Sequence, residues 1–398
     1  METPNKKLYL LDAFALIYRA YFSFGSRPLT NSKGMNVSAV TGFVNTLHGI
    51  LTKEEPTHIA VAFDLPSPTF RVKEFPFYKA QREAMPEDIR LSIPYIEKVI
   101  EGFNIPLLKV EGFEADDVIG TIAKKAEADG FTVYMVTPDK DYGQLVSDNI
   151  FMYKPAHLKK PVEIMGKAEI LKKWGNIEHT EQVIDILGLM GDASDNIPGV
   201  KGIGEKTAIK LIKAHGSMEN IIANVDQLKG AIKTKIENGI ENAKISKYLA
   251  TIVLDVPIDY QPDSYKVEPI NVTLLDQIFT ELEFRTIGKR ILGDAYSVNQ
   301  TDNEADKSDE KETTKQHSQQ IDLFANTPDE KEAIPEKLGG ASKNEELTHG
   351  NSITNTKHHY VLVDNTEQQN ELLNKLLQQE AVAFDTETDS LDANLAKL

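Results

Sequence analysis

The chain of 398 residues contains no cysteine. That absence excludes disulfides, cysteine–zinc sites and thiol nucleophiles, and it fits a reducing, cytoplasmic setting. Long apolar runs are also missing. The first one, Leu8-Tyr9-Leu10-Leu11, stops at Asp12. It is too short for the apolar segment of a secretion signal, and no run approaches the ~20 apolar residues of a membrane span. Positive charge is in deficit, with 44 Lys+Arg against 61 Asp+Glu and a formal net charge of −17. Net charge alone argues against a nucleic-acid partner, but the local field decides, so the distribution of charge has to be followed along the chain. The hydrophobic share of 40% and charged share of 26% are those of an ordinary globular protein. At ~150 residues per domain the length admits two or three domains.

Composition divides the chain into zones. Residues 1–295 alternate apolar runs with helical patterns, residues 296–357 are polar and acidic with little to bury, and the apolar pattern returns over 358–398. The middle zone reads as a disordered linker, because burial cannot offset its ordering entropy. Within the first zone, strand-like runs at 8–11, 58–63, 105–110 and 131–136 alternate with helical patterns such as 38–51 and 115–128. That order predicts a parallel sheet with helices on both faces. From about residue 181 the pattern is helical only. The first zone therefore reads as an α/β half, 1–178, followed by an all-α half, 179–295.

Acidic residues follow every predicted strand: Asp12 after the first, Asp64 after the second, Glu114, Asp116 and Asp117 after the third, Asp139 and Asp141 after the fourth. Ligands of open parallel sheets bind beyond the carboxyl ends of the strands, so these acids converge on one rim. The plain structural reading of any one of them is a helix cap or turn residue. Caps do not demand an acid each time, however, since Ser, Thr and Asn serve as well. Crowded carboxylates raise one another's pKa values unless a cation sits between them. Oxygen-only ligands select Mg²⁺ or Mn²⁺ over Zn²⁺, and two such ions ~4 Å apart clamp the oxygens of a phosphodiester. At this point a phosphodiesterase and a phosphatase both remain open.

Two basic features bear on that choice. The stretch from Gly191 to Ala208 adds Asp192 and Asp195, then turns through Lys201-Gly202-Ile203-Gly204-Glu205-Lys206-Thr207 into a helix over 205–214. It is not a P-loop, because Glu205 separates Gly204 from Lys206 and no strand precedes it. Gly202 and Gly204 suit a hairpin between helices, whose exposed N–H groups and flanking lysines suit phosphate. An ordinary helix–helix corner is the competing reading. The second feature is Phe70-Arg71-Val72-Lys73-Glu74-Phe75-Pro76-Phe77-Tyr78-Lys79-Ala80-Gln81-Arg82, which interleaves cations with rings as single-stranded nucleic acid requires. It belongs to a crossover of about 70–103, long enough to project as an arch. A solvated amphipathic helix with buried aromatics is the alternative.

Four strings together resemble the flap-endonuclease family, and within it the 5′-nuclease domains of bacterial type I DNA polymerases. They are Gly112-Phe113-Glu114-Ala115-Asp116-Asp117, Thr137-Pro138-Asp139-Lys140-Asp141, Gly191-Asp192-Ala193-Ser194-Asp195-Asn196-Ile197-Pro198-Gly199-Val200 and Lys201-Gly202-Ile203-Gly204-Glu205-Lys206-Thr207-Ala208. The resemblance covers roughly residues 5–292. It implies a PIN-like parallel-sheet core with a helical arch, a helix-hairpin-helix region for duplex DNA, and two Mg²⁺ ions, with Mn²⁺ as a substitute. On the family pattern Asp12, Asp64, Glu114, Asp116, Asp117, Asp139, Asp141, Asp192 and Asp195 match metal ligands. Lys79 and Arg82 match residues that stabilise charge on the scissile phosphate. Tyr78 matches an aromatic that orients the bent strand, and the hairpin carbonyls of Val200 and Ile203 match a K⁺ site. From the basic stretch and the hairpin themselves, Arg71, Lys201, Gly202, Gly204, Lys206 and Thr207 are the other candidate DNA contacts.

The last zone, 358–398, holds Phe384-Asp385-Thr386-Glu387, which resembles the opening motif of an RNase H-like 3′–5′ exonuclease that is incomplete here. In the linker, Gln320-Ile321-Asp322-Leu323-Phe324 resembles the peptide by which partners dock on the bacterial sliding clamp, with Gln320, Leu323 and Phe324 as anchors. The leading expectation is a structure-specific 5′-nuclease acting on DNA flaps, nicks and RNA-primed strands, monomeric and not membrane-bound. The alternative is a non-catalytic junction-binding module that recruits the clamp.

Overall fold

The computed structural model describes residues 6–25, 27–156, 160–297, 366–376 and 378. Among them, strands β1 (Lys7–Asp12), β2 (His58–Ala62), β3 (Leu107–Leu108), β4 (Thr132–Val136), β5 (Ile150–Lys154) and β6 (Glu163–Met165) form one sheet in the order β3-β2-β1-β4-β5-β6. All neighbours are parallel except β5 and β6. β1 is central, with Leu10 paired to Ala60 on one side and to Met135 on the other. Its continuous apolar run is what a strand covered on both faces requires. Successive side chains alternate between the faces, and Leu8 through Leu11 are each no more than 1% exposed.

The helices are α1 (Ala13–Phe24), α2 (Ser38–Gly49), α3 (Phe70–Glu74), α4 (Glu87–Gly102), α5 (Ala115–Ala128), α6 (Lys167–Lys173), α7 (Gln182–Met190), α8 (Glu205–His215), α9 (Met218–Ala223), α10 (Gly230–Ala250), α11 (Val272–Glu281) and α12 (Arg285–Leu292). Tyr9 and Leu11 pack with Leu16, Phe43, Ile96, Ile100, Leu275 and Phe279, from α1, α2, α4 and α11. Leu8 and Leu10 pack on the opposite face with Ile119, Ile122, Val183, Ile186, Ile212 and Ala243, from α5, α7, α8 and α10. The helical half thus shares a core with the sheet. No helix among the described residues is long and apolar enough to cross a membrane.

The alternation of strands and helices matches the reading of the sequence, with four differences. The strand expected at 105–110 shortens to Leu107–Leu108, because it is a sheet edge and Pro106 has no N–H to donate. β5 and β6 were not expected. The crossover at 70–103 does not project along its length. Its second half is α4, whose Ile89, Ile96, Val99 and Ile100 are fully buried, and only the turns at 75–85 lie across the strand ends. The all-α part also extends past residue 295. The Tyr296 ring is fully buried beside Gly288, and the Ser297 N–H donates to Asp276 at 2.7 Å.

The chain divides into Met1–Ala325 and Asn326–Leu398. In the second unit the described part is a helix at Thr366–Leu376 together with residue 378. The expected linker beyond Ser297, the docking residues Gln320, Leu323 and Phe324, and the pair Asp385 and Glu387 lie outside the described residues.

Candidate active site

The carboxyl ends of β1, β2 and β4 bring their acids to one edge of the sheet. Asp12 closes β1 and caps α1, with Oδ1 accepting the Ala15 N–H at 3.1 Å. Its Oδ2 accepts the hydroxyls of Thr137 and Tyr142, both at 3.3 Å. Burial, then the charges of Asp64 and Asp139, push the Asp12 carboxyl up to about 7. Asp64 accepts the Ala115 N–H at 2.8 Å, at the start of α5, and burial raises its pKa as well. Asp116 rises well above the usual carboxylate range through burial and the charges of Glu114 and Asp117. Asp139 caps the turn after β4 and is raised by burial, with Asp195 contributing. Asp141 reaches about 8, from burial and then Asp139, and its Oδ1 is buried without a hydrogen-bond partner.

Five clustered carboxylates that resist ionisation, one of them with an orphaned buried oxygen, make a donor set suited to a hard divalent cation. Among the described residues no three acidic side chains already surround a single point. Cations of the chain itself hold three of the other rim acids. Lys79 Nζ lies 2.9 Å from Glu114 Oε1 and 3.8 Å from Asp195 Oδ2, Arg82 pairs with Asp195, and Lys140 lies 2.6 Å from Asp192. Burial works against the Lys79 charge, but Glu114, Asp116 and Asp195 outweigh it and hold the ammonium strongly protonated. Asp192 shifts the other way. Burial opposes its charge, yet Lys140 and Ser194 hold its carboxyl below the usual range.

The structure corrects three assignments. Arg71 is 1% exposed and does not face DNA. Its guanidinium makes a two-pronged pair with Asp117, both contacts at 2.7 Å, and donates to the Thr251 carbonyl at 2.6 Å. Asp117 is fully buried and also accepts the Glu114 N–H at 3.1 Å and the Val253 N–H at 2.8 Å. With four donors its lone pairs are used, so it cannot serve as a metal ligand. Tyr78 is buried too, and its hydroxyl donates to Glu114 Oε2 at 3.1 Å. It orients a rim carboxylate and does not present a ring to a strand.

Beyond the rim, Gly191 and Gly199 let two backbone segments touch. A Cβ on Gly191 would fall 2.4 Å from the Ile197 carbonyl, and one on Gly199 would fall 2.4 Å from the Gly191 nitrogen. This close approach presents Asp192 and Asp195 to the rim. The hairpin that follows exposes Lys201, Gly202, Gly204 and Lys206, with Thr207 half-buried. Gly202 has a φ of +81° and Gly204 caps α8 with open space in front of it. Val200 and Ile203 are buried, and the Val200 carbonyl already accepts the Ile203 N–H at 2.9 Å. The hairpin carbonyl that meets a cation is that of Gly202, which accepts from Lys235 at 2.9 Å.

The reading of the sequence missed the groups that hold the site together. Thr137 and Tyr142 fix Asp12, Lys140 holds Asp192, and Gln81 and Asn196 join the basic turn to the Asp192–Asp195 loop. The last two bonds link residues 112 and 119 positions apart, so no local pattern announces them.

The profile described as "5'-3' exonuclease, N-terminal resolvase-like domain" matches residues 7–175, and "5'-3' exonuclease, C-terminal SAM fold" matches residues 178–273. A curated relative, the DNA polymerase I of Bacillus subtilis, is 40% identical over 299 residues, covering 75% of this chain and 34% of that protein. The 5'-3' exonuclease of Aquifex aeolicus is 35% identical over 286 residues, covering 72% of this chain and 95% of that protein. The chain spans about a third to two fifths of the length of the polymerase relatives it matches. Among solved structures, T5 5'-exonuclease with divalent metal ions (zinc) bound superposes with a TM-score of 0.51 at 21% identity, covering 73% of this chain and 99% of that one. That likeness concerns the fold.

Proposed function

The chain belongs to the 5′-3′ exonuclease family, and from that premise we propose that it hydrolyses DNA phosphodiesters at 5′ flaps, nicks and RNA-primed ends in replication and repair. The observation that carries this reading is one rim where five clustered carboxylates with raised pKa values, Asp12 buried and the others partly open to solvent, stand beneath two cations on a turn, Lys79 and Arg82. Asp12, Asp64, Asp116, Asp139 and Asp141 would hold two divalent ions, Mg²⁺ or Mn²⁺. Glu114, Asp192 and Asp195 would join them once their lysine and arginine partners turn toward phosphate. Bound there, the ions supply Lewis acidity for the attacking water and the leaving 3′ oxygen.

The chain's own residues do the rest. Thr137 and Tyr142 hold Asp12 by its Oδ2. The Arg71–Asp117 pair ties the start of α5 to the segment after α10 and so holds Glu114 and Asp116 at the rim. The open N-terminus of α8, with Lys201 and Lys206 beside it, grips duplex phosphates without reading sequence. Lys79 and Arg82 exchange a carboxylate for the scissile phosphate and neutralise the charge that builds on it. The K⁺ site at Val200 and Ile203 is proposed from the family pattern alone, and so is docking on a sliding clamp through Gln320, Leu323 and Phe324.

Cleavage of a 5′-labelled flap duplex tests the reading, run with Mg²⁺, with EDTA and with Asp139→Ala. Metal-dependent release near the junction, lost in the variant, is expected. Tight binding without cleavage in both Mg²⁺ and Mn²⁺ would overturn it.

A further inference from the structure

Lys79 and Arg82 sit on an irregular turn that has no helix or strand to stiffen it. Something else must aim them, and the contacts of residues 77–82 identify what does. The Lys79 N–H donates to the Asp195 carbonyl at 2.9 Å. The Asn196 side-chain amide donates to the Phe77 carbonyl at 2.7 Å, and the Gln81 amide donates to the Ala193 carbonyl at 2.8 Å. Three hydrogen bonds therefore lash the basic turn to the loop 193–196, two of them from side-chain amides that carry no charge.

The backbone carries a second sign of constraint. Lys79 has a φ of +57° and Asn196 a φ of +56°. Asparagine adopts this left-handed conformation readily, because its short polar side chain can bond locally. Lysine does so at a cost, which the turn's own bond from the Ala80 N–H to the Phe77 carbonyl and the contacts with 193–196 offset together. The Phe77–Asn196 and Lys79–Asp195 bonds hold the backbone that leads into Lys79, the Gln81–Ala193 bond holds the backbone that leaves it, and in this conformation its ammonium reaches Glu114.

We propose that Asn196, assisted by Gln81, is a positioning residue for cleavage: its amide clamps the 77–82 turn so that Lys79 and Arg82 face the scissile phosphate. The proposal rests on the nuclease reading above. It differs from a general stabilising role, because both clamp side chains are exposed and their loss leaves the apolar core untouched.

The variant Asn196→Gly keeps the freedom for a positive φ and removes the side-chain amide. Steady-state cleavage of a 5′-flap duplex would be compared among the wild type, Asn196→Gly, Lys79→Ala and the double variant, alongside thermal melting and hydrogen exchange of the peptide spanning 75–86. The expected result is a fall in kcat of about tenfold or more for Asn196→Gly. KM should stay within about twofold and melting should be nearly unchanged, and the double variant should be no slower than Lys79→Ala. Exchange at 77–82 should quicken. Gln81→Ala should show the same pattern, smaller. A wild-type kcat in Asn196→Gly, or losses that multiply in the double variant, would overturn the proposal. A wild type that fails to cleave with either metal would instead overturn the nuclease reading itself, while the exchange data would still report whether the clamp exists.

Discussion

Arg71 and Lys79 stand eight positions apart in one basic, aromatic stretch, and each meets carboxylates of the segment 114–117. Their fates differ. Arg71 is 1% exposed and its partner Asp117 is fully buried, so the pair is closed to solvent. Lys79 keeps 22% exposure, and its partners Glu114 and Asp195 belong to a rim that is short of positive charge. A buried pair of this kind is architecture, because breaking it strands a charge in the interior. A partly exposed pair that can trade its carboxylate for a phosphate is available for chemistry. The same residue types on one segment thus divide into strap and tool by burial and by the number of donors that each carboxylate already has.

That division makes predictions. The largest effect should come from the rim itself. Asp139→Ala or Asp141→Ala should abolish cleavage of a flap duplex while keeping most DNA binding in a gel-shift assay, and melting should hold or rise because like charges are relieved. Persistent cleavage in both variants would remove them from the site. Next is the strap. Arg71→Ala should cost about 3–5 kcal/mol in chemical denaturation by leaving Asp117 buried and unpaired. If Arg71→Ala instead melted like the wild type and lost only DNA affinity, the contrast with Lys79 would collapse. Lys79→Ala should invert the pattern, with near-native melting and turnover reduced about 100- to 1,000-fold. Mg²⁺ should raise the wild-type melting temperature by mass action and should raise it much less in Asp141→Ala. An equal shift in both would place ion binding elsewhere.

The smallest effect lies at the opposite end of the sheet, where β2 begins. Burial, followed by Lys266 and Lys6, holds the His58 pKa below its usual value. The unfolded chain takes up that proton near pH 6.5 while the folded chain resists it. His58 therefore contributes stability above pH 6.5, and that stability is lost as the pH falls below it toward the lowered folded value. His58→Gln should flatten this part of the melting-versus-pH curve. An unchanged slope would show that the histidine is not its source.

Local pattern carried much of the fold. β1, β2 and β4 were legible because a strand covered on both faces must be an unbroken apolar run, and α5 was legible because it begins with acids and keeps a helical period. β5 was missed because its Ile150-Phe151-Met152-Tyr153-Lys154 lies outside the strand–acid pattern that marked the others. α4 was read as part of an arch because its charged face is as visible in the sequence as its apolar one. Of the site, the clustered carboxylates were legible because an acid follows each strand expected from the sequence, where a neutral cap would serve. Asp117 looked like one more of them, and only its four donors remove it from the set.

By itself, then, the sequence determined that acids gather at the ends of a parallel sheet, that a glycine hairpin follows them, and that no cysteine chemistry takes part. These properties depend on residue type and short spacing. The tertiary structure alone decided which cations are sealed in and which stay partly exposed at the rim, and which contacts hold the turn that carries Lys79. Arg71 meets Asp117 across 46 residues and the Thr251 carbonyl across 180, and Asn196 reaches Phe77 across 119. Contacts of that range are set by how the helices pack against the sheet, and the string around Arg71 and Lys79 reads the same whichever of the two is buried.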